Sequence, residues 1–192
     1  MSLKKLIWLT IIAFFIWLIP FIIGLSLTTD INHSTTSTVL NNKEISHSVV
    51  NDIFNAYSKN NRTEAFRLIF LNNLKVVIFN IVGGVLLGLG TFINLLQNGF
   101  YAANIFSIVH NNGLSWGKIV TFTAPHSIEM LGIWLSGGLG FYIAKAILDF
   151  IRNNKYPTDI FYKRIGLGFL VCTLIVLIAA YIEAFISVPI NN

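Results

Sequence analysis

His126 and Glu129 are the residues whose types and spacing fit chemistry. They stand in Thr123-Ala124-Pro125-His126-Ser127-Ile128-Glu129, at the mouth of the apolar run from Met130 to Leu148. Three residues apart, the imidazole and the carboxylate share one face of a helix. Pro125 suits the first turn of that helix, Thr123 is placed to cap it, and Glu129 lies near the positive end of the dipole. Ionisable side chains at membrane depth face protein or water, which makes the pair the leading candidate for function. The chemistry open to it is narrow. His-x-x-Glu lacks the second histidine of H-E-x-x-H, and no third ligand is spaced for a metal. Ser127 is not a hydrolase nucleophile, because G-x-S-x-G is absent, and no P-loop is present. Cys172 is the only cysteine and has no zinc-like neighbours. The expectation is a chain without cofactor or metal that is not an enzyme.

Positioning that pair is work for membrane helices. The chain has 192 residues, 55% apolar and 11% charged, with a mean hydropathy of +0.72. Soluble domains carry about 25% charged residues, so an all-α membrane protein is expected, as one domain over 1–192. The net charge of +5 comes from scattered basic residues with no basic stripe. That argues against nucleic acid and for cytoplasmic loops as their place. Leu6 to Leu27 is long for a secretory signal and lacks a small-residue cleavage site, so it reads as a retained first span (1–27) with Pro20 as a kink. Residues 28–72 form an extracytoplasmic loop. Within it Ile45, Val49, Ile53 and Tyr57 recur at helical spacing beside Phe54, and Thr63 to Leu71 carries Phe66, Ile69 and Phe70. These stripes lie on the bilayer surface or pack on the spans. Asn32-His33-Ser34 and Asn61-Arg62-Thr63 fit a glycosylation triplet, a pattern frequent by chance.

Residues 73–189 hold four more crossings. The second span is expected from Leu74 to Leu96, with Gly84 and Gly88 as a small-xxx-small step. Gln97 to Ala124 reads as a short or broken third crossing. The fourth runs from Pro125 to near Leu148, where Gly132, Ser136, Gly140 and Ala144 place a small residue every four and form a packing groove. The fifth is Ile165 to Val188. Lys4 and Lys5, and Lys145 with Arg152, Lys155, Lys163 and Arg164, mark the inside, so the N-terminus is cytoplasmic and the C-terminus outside. Depth counted at about 1.5 Å per residue puts His126, Glu129, Glu183 and Asn80 at similar height in the outer leaflet. Asn94 and Asn98 fall at the opposite end of the second span. Two readings of the four polar residues stay open. They are hydrogen-bond glue between helices, each contact contributing about 0.6–2 kcal/mol, or a site for a proton, ligand or partner.

Three stretches in order resemble the stage II sporulation protein M family. Leu71-Asn72-Asn73-Leu74 with Asn80, Gly83 and Gly84, then Asn98-Gly99-Phe100, is similar to its second-span region. Ala124-Pro125-His126-Ser127-Ile128-Glu129 is similar to its Pro-His-Gly-x-x-Glu signature, with Ser127 where the family usually has glycine. Ala179-Ala180-Tyr181-Ile182-Glu183-Ala184-Phe185 is similar to its closing segment. The resemblance implies a multi-pass protein of the bacterial plasma membrane with no known enzymatic activity. In spore formers the namesake anchors a septal peptidoglycan-degrading machine during engulfment, while relatives beside bacteriocin genes are linked to export or immunity with an ABC ATPase. Two expectations follow. One is a scaffold that positions other membrane or extracytoplasmic proteins; the other is a membrane component of peptide transport.

Overall fold

The computed structural model describes residues 3–30, 47–111, 113 and 115–187. Ile45, the Asn32 triplet and the side chains of Thr123, Pro125 and His126 lie outside the described set. The described residues are helical almost throughout, with no strand among them. That is the way a backbone without water satisfies its own N–H and C=O groups. Among the described residues six α-helices follow one another: α1 (Leu3–Asp30), α2 (His47–Ser58), α3 (Arg62–Gly83), α4 (Leu89–Asn111), α5 (Trp116–Asn153) and α6 (Asp159–Ile182). A 3₁₀ turn at Gly84–Leu86 follows α3, and a π-helical turn at Glu183–Ser187 closes α6. Among the described residues four stretches are long and apolar enough to cross a membrane: Lys4–Leu27, Arg62–Leu86, Ser127–Asn153 and Asp159–Ile186. The exposed surface is rich in large apolar side chains, such as Ile19, Phe79, Leu167 and Ile178, as a lipid-facing bundle requires.

The expected second span is corrected. Leu74 to Leu96 is not one helix but the end of α3, a sharp break and the start of α4. Leu87 (φ 54°) and Gly88 (φ 86°) both take left-handed backbone, and the chain folds back so that Gly83 lies against Gly90 and Thr91. The reversal needs glycines there, because a Cβ on Gly83 would meet backbone of the returning strand of chain. In consequence the segment expected as a broken third crossing, Gln97 to Ala124, is divided between α4, continuous over Leu89–Asn111, and the start of α5 at Trp116. The short helix at Thr63 to Leu71 is likewise the first part of α3. Asn61 caps that helix by accepting from the N–H of Glu64 at 3.1 Å, and Ala65 and Ile69 are buried. Phe66 stacks on Phe70 and meets Tyr181 and Phe185 of the α6 end, so this stripe packs on its neighbours.

The start of the helix carrying His126 is corrected too. α5 begins at Trp116 behind an extended Ser115, so Pro125 is in its interior and Thr123 is not a cap. Apolar Ile119 to Ala124 continues the helix backward through the proline. Membrane helices tolerate this because neighbouring groups and small local adjustments take up the freed carbonyl. At 38 residues α5 measures roughly 57 Å, longer than a bilayer is thick.

α5 is the centre of the bundle, touching α1, α3, α4 and α6. Contacts along it fix the directions. Thr10 lies at Gly138 and Trp17 at Trp134, so α1 runs antiparallel to α5. Gly84 sits on the Gly140 carbonyl and Asn80 at Ser136, so α3 runs parallel to it. Gly132 meets Val176 and Gly168 meets Leu139, making α6 antiparallel. α4 follows α1, with Gly99 on Trp17 and Pro20, and Ala103 on Gly24. Two apolar clusters fill the interior: Ala13, Trp17, Leu95 and Ile133 on one side, Val77, Leu139, Cys172 and Val176 on the other.

Candidate functional site

The polar residues of the bundle gather at two heights. The deeper centre is where α3, its return into α4, and α5 meet. Asn80, 0% exposed, donates from Nδ2 to Ser136 Oγ (2.9 Å) and to the Ile133 carbonyl (3.2 Å). Its Oδ1 accepts from Asn94 Nδ2 at 2.9 Å, and its backbone carbonyl accepts from Thr91 Oγ1 at 2.6 Å. Asn94 also donates to the Val76 carbonyl (3.2 Å), while Asn98 donates to the Asn94 carbonyl (2.8 Å) and to Asn94 Oδ1 (3.3 Å). Ser136 completes the set by donating to the Ile133 carbonyl at 2.7 Å. Three helices are thus joined by amides and hydroxyls that bond to one another and to main-chain carbonyls. Satisfied in this way, buried polar groups avoid the desolvation penalty they would otherwise carry.

Glycines make that approach possible. A Cβ on Gly140 would meet the Asn80 carbonyl and the Thr91 hydroxyl, and one on Gly84 would meet the Gly140 backbone. Gly132, one turn before Ser136, faces Ile175 and Val176 of α6 instead. The regular ladder of Gly132, Ser136, Gly140 and Ala144 therefore serves two neighbours, with Ala144 against Gly88 at the chain reversal. Gly99 is buried where α4 crosses Trp17 and Pro20.

The upper centre lies at the end of the bundle where α2 and the α6 terminus meet. Glu129 is 8% exposed. The antiparallel register of Gly132 with Val176 puts Glu183 level with Pro125 and His126, one turn above Glu129. Asn80 is not with them, since its partners lie one to two turns beyond Glu129 along α5. Asn73 is level with Glu129 by the parallel register of α3 and α5, is 5% exposed, and has an Nδ2 without a partner among the described residues; Asn72 faces outward. Glu183 opens the π-helical turn. Its carbonyl accepts from the Tyr57 hydroxyl at 3.5 Å, and Arg62 donates to the Phe185 carbonyl at 3.2 Å. The last carbonyls of a helix have no partner within it, so these two side chains hold α2 and the start of α3 on the end of α6. Burial pushes the Tyr57 hydroxyl up to about 12, with the charge of Glu183 adding and that of Arg62 subtracting. Among the described residues no group of three His, Cys, Asp or Glu could hold a metal.

Thr91, Asn94, Tyr57 and Arg62 were not singled out from sequence as partners of these centres. A signal for the first two exists. Asn80 and Asn94 are equally spaced about Leu87, so a reversal there brings them face to face. The Tyr57 and Arg62 contacts span more than 120 residues and leave no local pattern.

Comparison with known proteins gives two matches. The family model described as stage II sporulation protein M matches residues 7–188, nearly the whole chain. An uncharacterized protein of Methanocaldococcus jannaschii is 28% identical over 151 residues, covering 77% of this chain and 79% of that protein. No solved structure matches significantly.

Proposed function

The chain belongs to the stage II sporulation protein M family, and from that premise we propose that it is a non-catalytic integral membrane scaffold that holds partner proteins at the plasma membrane. The observation that carries this reading is the deeper polar centre. Asn80, Thr91, Asn94, Asn98 and Ser136 turn toward each other and toward backbone carbonyls, as structural cross-links do. A rigid mount of this kind suits a protein whose work is to present its outer parts, α2 among them, to something else.

The proposed layout has five crossings, α1, α3, α4, α5 and α6, with the N-terminus inside. α4 is not among the four stretches that qualify by length and apolarity, but it lies along α1 from Trp17–Gly99 to Gly24–Ala103, at the same depth. The Lys4–Lys5 end of α1 and the Arg152–Arg164 turn then share the cytoplasmic side.

One observation favours a second reading, a membrane component of peptide export or immunity working with a separate ABC ATPase. Glu129 is a carboxylate nearly sealed in the bundle, and the Asn73 amide at its height has an unpartnered donor. Such a pair suits a proton or substrate path. Mild-detergent purification of the full chain from native expression, with Glu129→Gln and Glu183→Gln variants, separates the two. The scaffold reading expects the same partner with wild type and both variants. Recovery of a lone protein each time counts against it. Export or immunity lost in the variants, with expression and partner unchanged, favours the second reading.

A further inference from the structure

The turn between α5 and α6 forms a half-open cavity of about 150 Å³ that neither reading above uses. Its volume is about five times a water molecule's share of the liquid, enough for a compact polar headgroup. Lys155 and Arg164 line it with Thr158, Tyr142, Asp149 and Ile160. Three features of the lining point to an anionic ligand. Lys155 forms no ion pair among the described residues, while Asp149 is already engaged by Lys145 at 3.3 Å. Thr158 stands at the N-cap of α6 in extended backbone, yet its hydroxyl makes no capping bond. Tyr142 is 3% exposed, stacked on Phe161, and its hydroxyl has no hydrogen-bond partner among the described residues. The ring is held by its neighbours while the hydroxyl is left to the cavity, where a ligand oxygen would give it an acceptor.

The height of the cavity says where such a ligand comes from. With Thr10 against Gly138, the antiparallel register brings Lys4 and Lys5 level with Ala144 and Ile143. Gly88, at the reversal between α3 and α4, also touches Ala144. The Lys4–Lys5 end of α1 and the α3–α4 reversal therefore both lie at the depth of Tyr142 to Ala146, the part of α5 that lines the cavity. Above it on α6, exposed Leu167 and Leu170 offer an apolar track for acyl chains. Basic pockets between helices on the cytoplasmic side are a known means of holding lipid phosphates.

We propose that this cavity is a binding site for the phosphodiester headgroup of an anionic membrane phospholipid. Lys155 and Arg164 supply the charge, and the Tyr142 and Thr158 hydroxyls donate to the phosphate oxygens. The site rests on the membrane layout above but not on the scaffold role. Lipid preference and partner retention are separate readouts, so either fails without the other.

The test is native mass spectrometry of the delipidated full chain in detergent, titrated with phosphatidylglycerol, phosphatidylcholine or inorganic phosphate. Phosphatidylglycerol is expected to bind about tenfold more tightly than phosphatidylcholine, the scale of a charge-assisted hydrogen bond. Lys155→Gln combined with Arg164→Gln removes the preference, and Tyr142→Phe lowers it severalfold. Arg152→Gln combined with Lys163→Gln, the same charge change outside the cavity, leaves it intact. Equal loss in that control pair would show diffuse surface attraction and overturn the site. Inorganic phosphate that binds as well as the lipid, or displaces it at equal concentration, overturns the lipid assignment. Lys155→Gln and Tyr142→Phe alone remain informative if the double variant fails to fold.

Discussion

Asn80 makes four hydrogen bonds, three through its amide and one through its carbonyl, to residues on α4 and α5. Asn98, on the next turns of α4, bonds among the described residues only back to Asn94. The two asparagines are therefore unequal in what they hold. Asn80→Ala removes the links from α3 to Ser136 and to Asn94, and is expected to destabilise the protein by about 1–3 kcal/mol. Asn98→Ala loses contacts within one helix and is expected to cost about 0.5 kcal/mol or less. Thermal unfolding in detergent, followed by circular dichroism, gives the comparison. Equal midpoints for both variants would mean that the network does not bind the helices together. The types and positions of these residues are visible in the sequence, and Asn80 with Ser136 and Gly140 stands out as polar or small among apolar neighbours. Their partners are not visible. Counting depth along a presumed straight helix put Asn80 beside Glu129 and sent Asn94 to the opposite face of the membrane.

The cause of that miss belongs to the elements. Hydropathy measures whether a segment is apolar, not whether it is straight, and Leu74 to Leu96 is apolar through a complete reversal. The cue was local: Gly83, Gly84, Gly88 and Gly90 fall within eight residues, a density that favours left-handed backbone over close helix packing alone. The all-helical class and the long apolar runs of α1, α5 and α6 were legible, because lipid enforces long apolar segments. α2 shows a different dependence. It is held on the α6 end by Arg62 beside it and by Tyr57, whose hydroxyl is raised from 10.0 to about 12. A raised acid in the folded state means that its contribution is complete below pH 10 and fades as pH climbs toward 12. Hydrogen exchange of α2 amides should accelerate over that interval in wild type. Tyr57→Phe should abolish the step, and Arg62→Ala should raise exchange at every pH. A profile for Tyr57→Phe that matches wild type would assign the change to another group.

At the scale of the molecule the decisive question is how many times the chain passes through lipid. Four helices qualify by length and apolarity, and α4 is set apart from them by Asn94, Gln97, Asn98 and Asn104. Asn94 and Asn98 are satisfied internally, as a helix with neighbours on several sides allows, while Gln97 and Asn104 are exposed. With α4 counted as a crossing, Lys59 after α2 and Asn154 after α5 lie on opposite sides of the membrane. Without it they lie on the same side. Cys172, the one native cysteine, is buried in α6 and offers a quiet background for thiol labelling. In intact cells a membrane-impermeant maleimide should label Lys59→Cys at once. It should label Asn154→Cys only after permeabilisation, which would also put the cavity between α5 and α6 at the anionic inner leaflet. Labelling of both positions from outside would leave α4 short of a full crossing and move the basic turn to the outer face. That outcome would separate the turn from the Lys4–Lys5 end of α1, against the antiparallel contact of Thr10 with Gly138. The helix packing therefore predicts labelling from opposite sides.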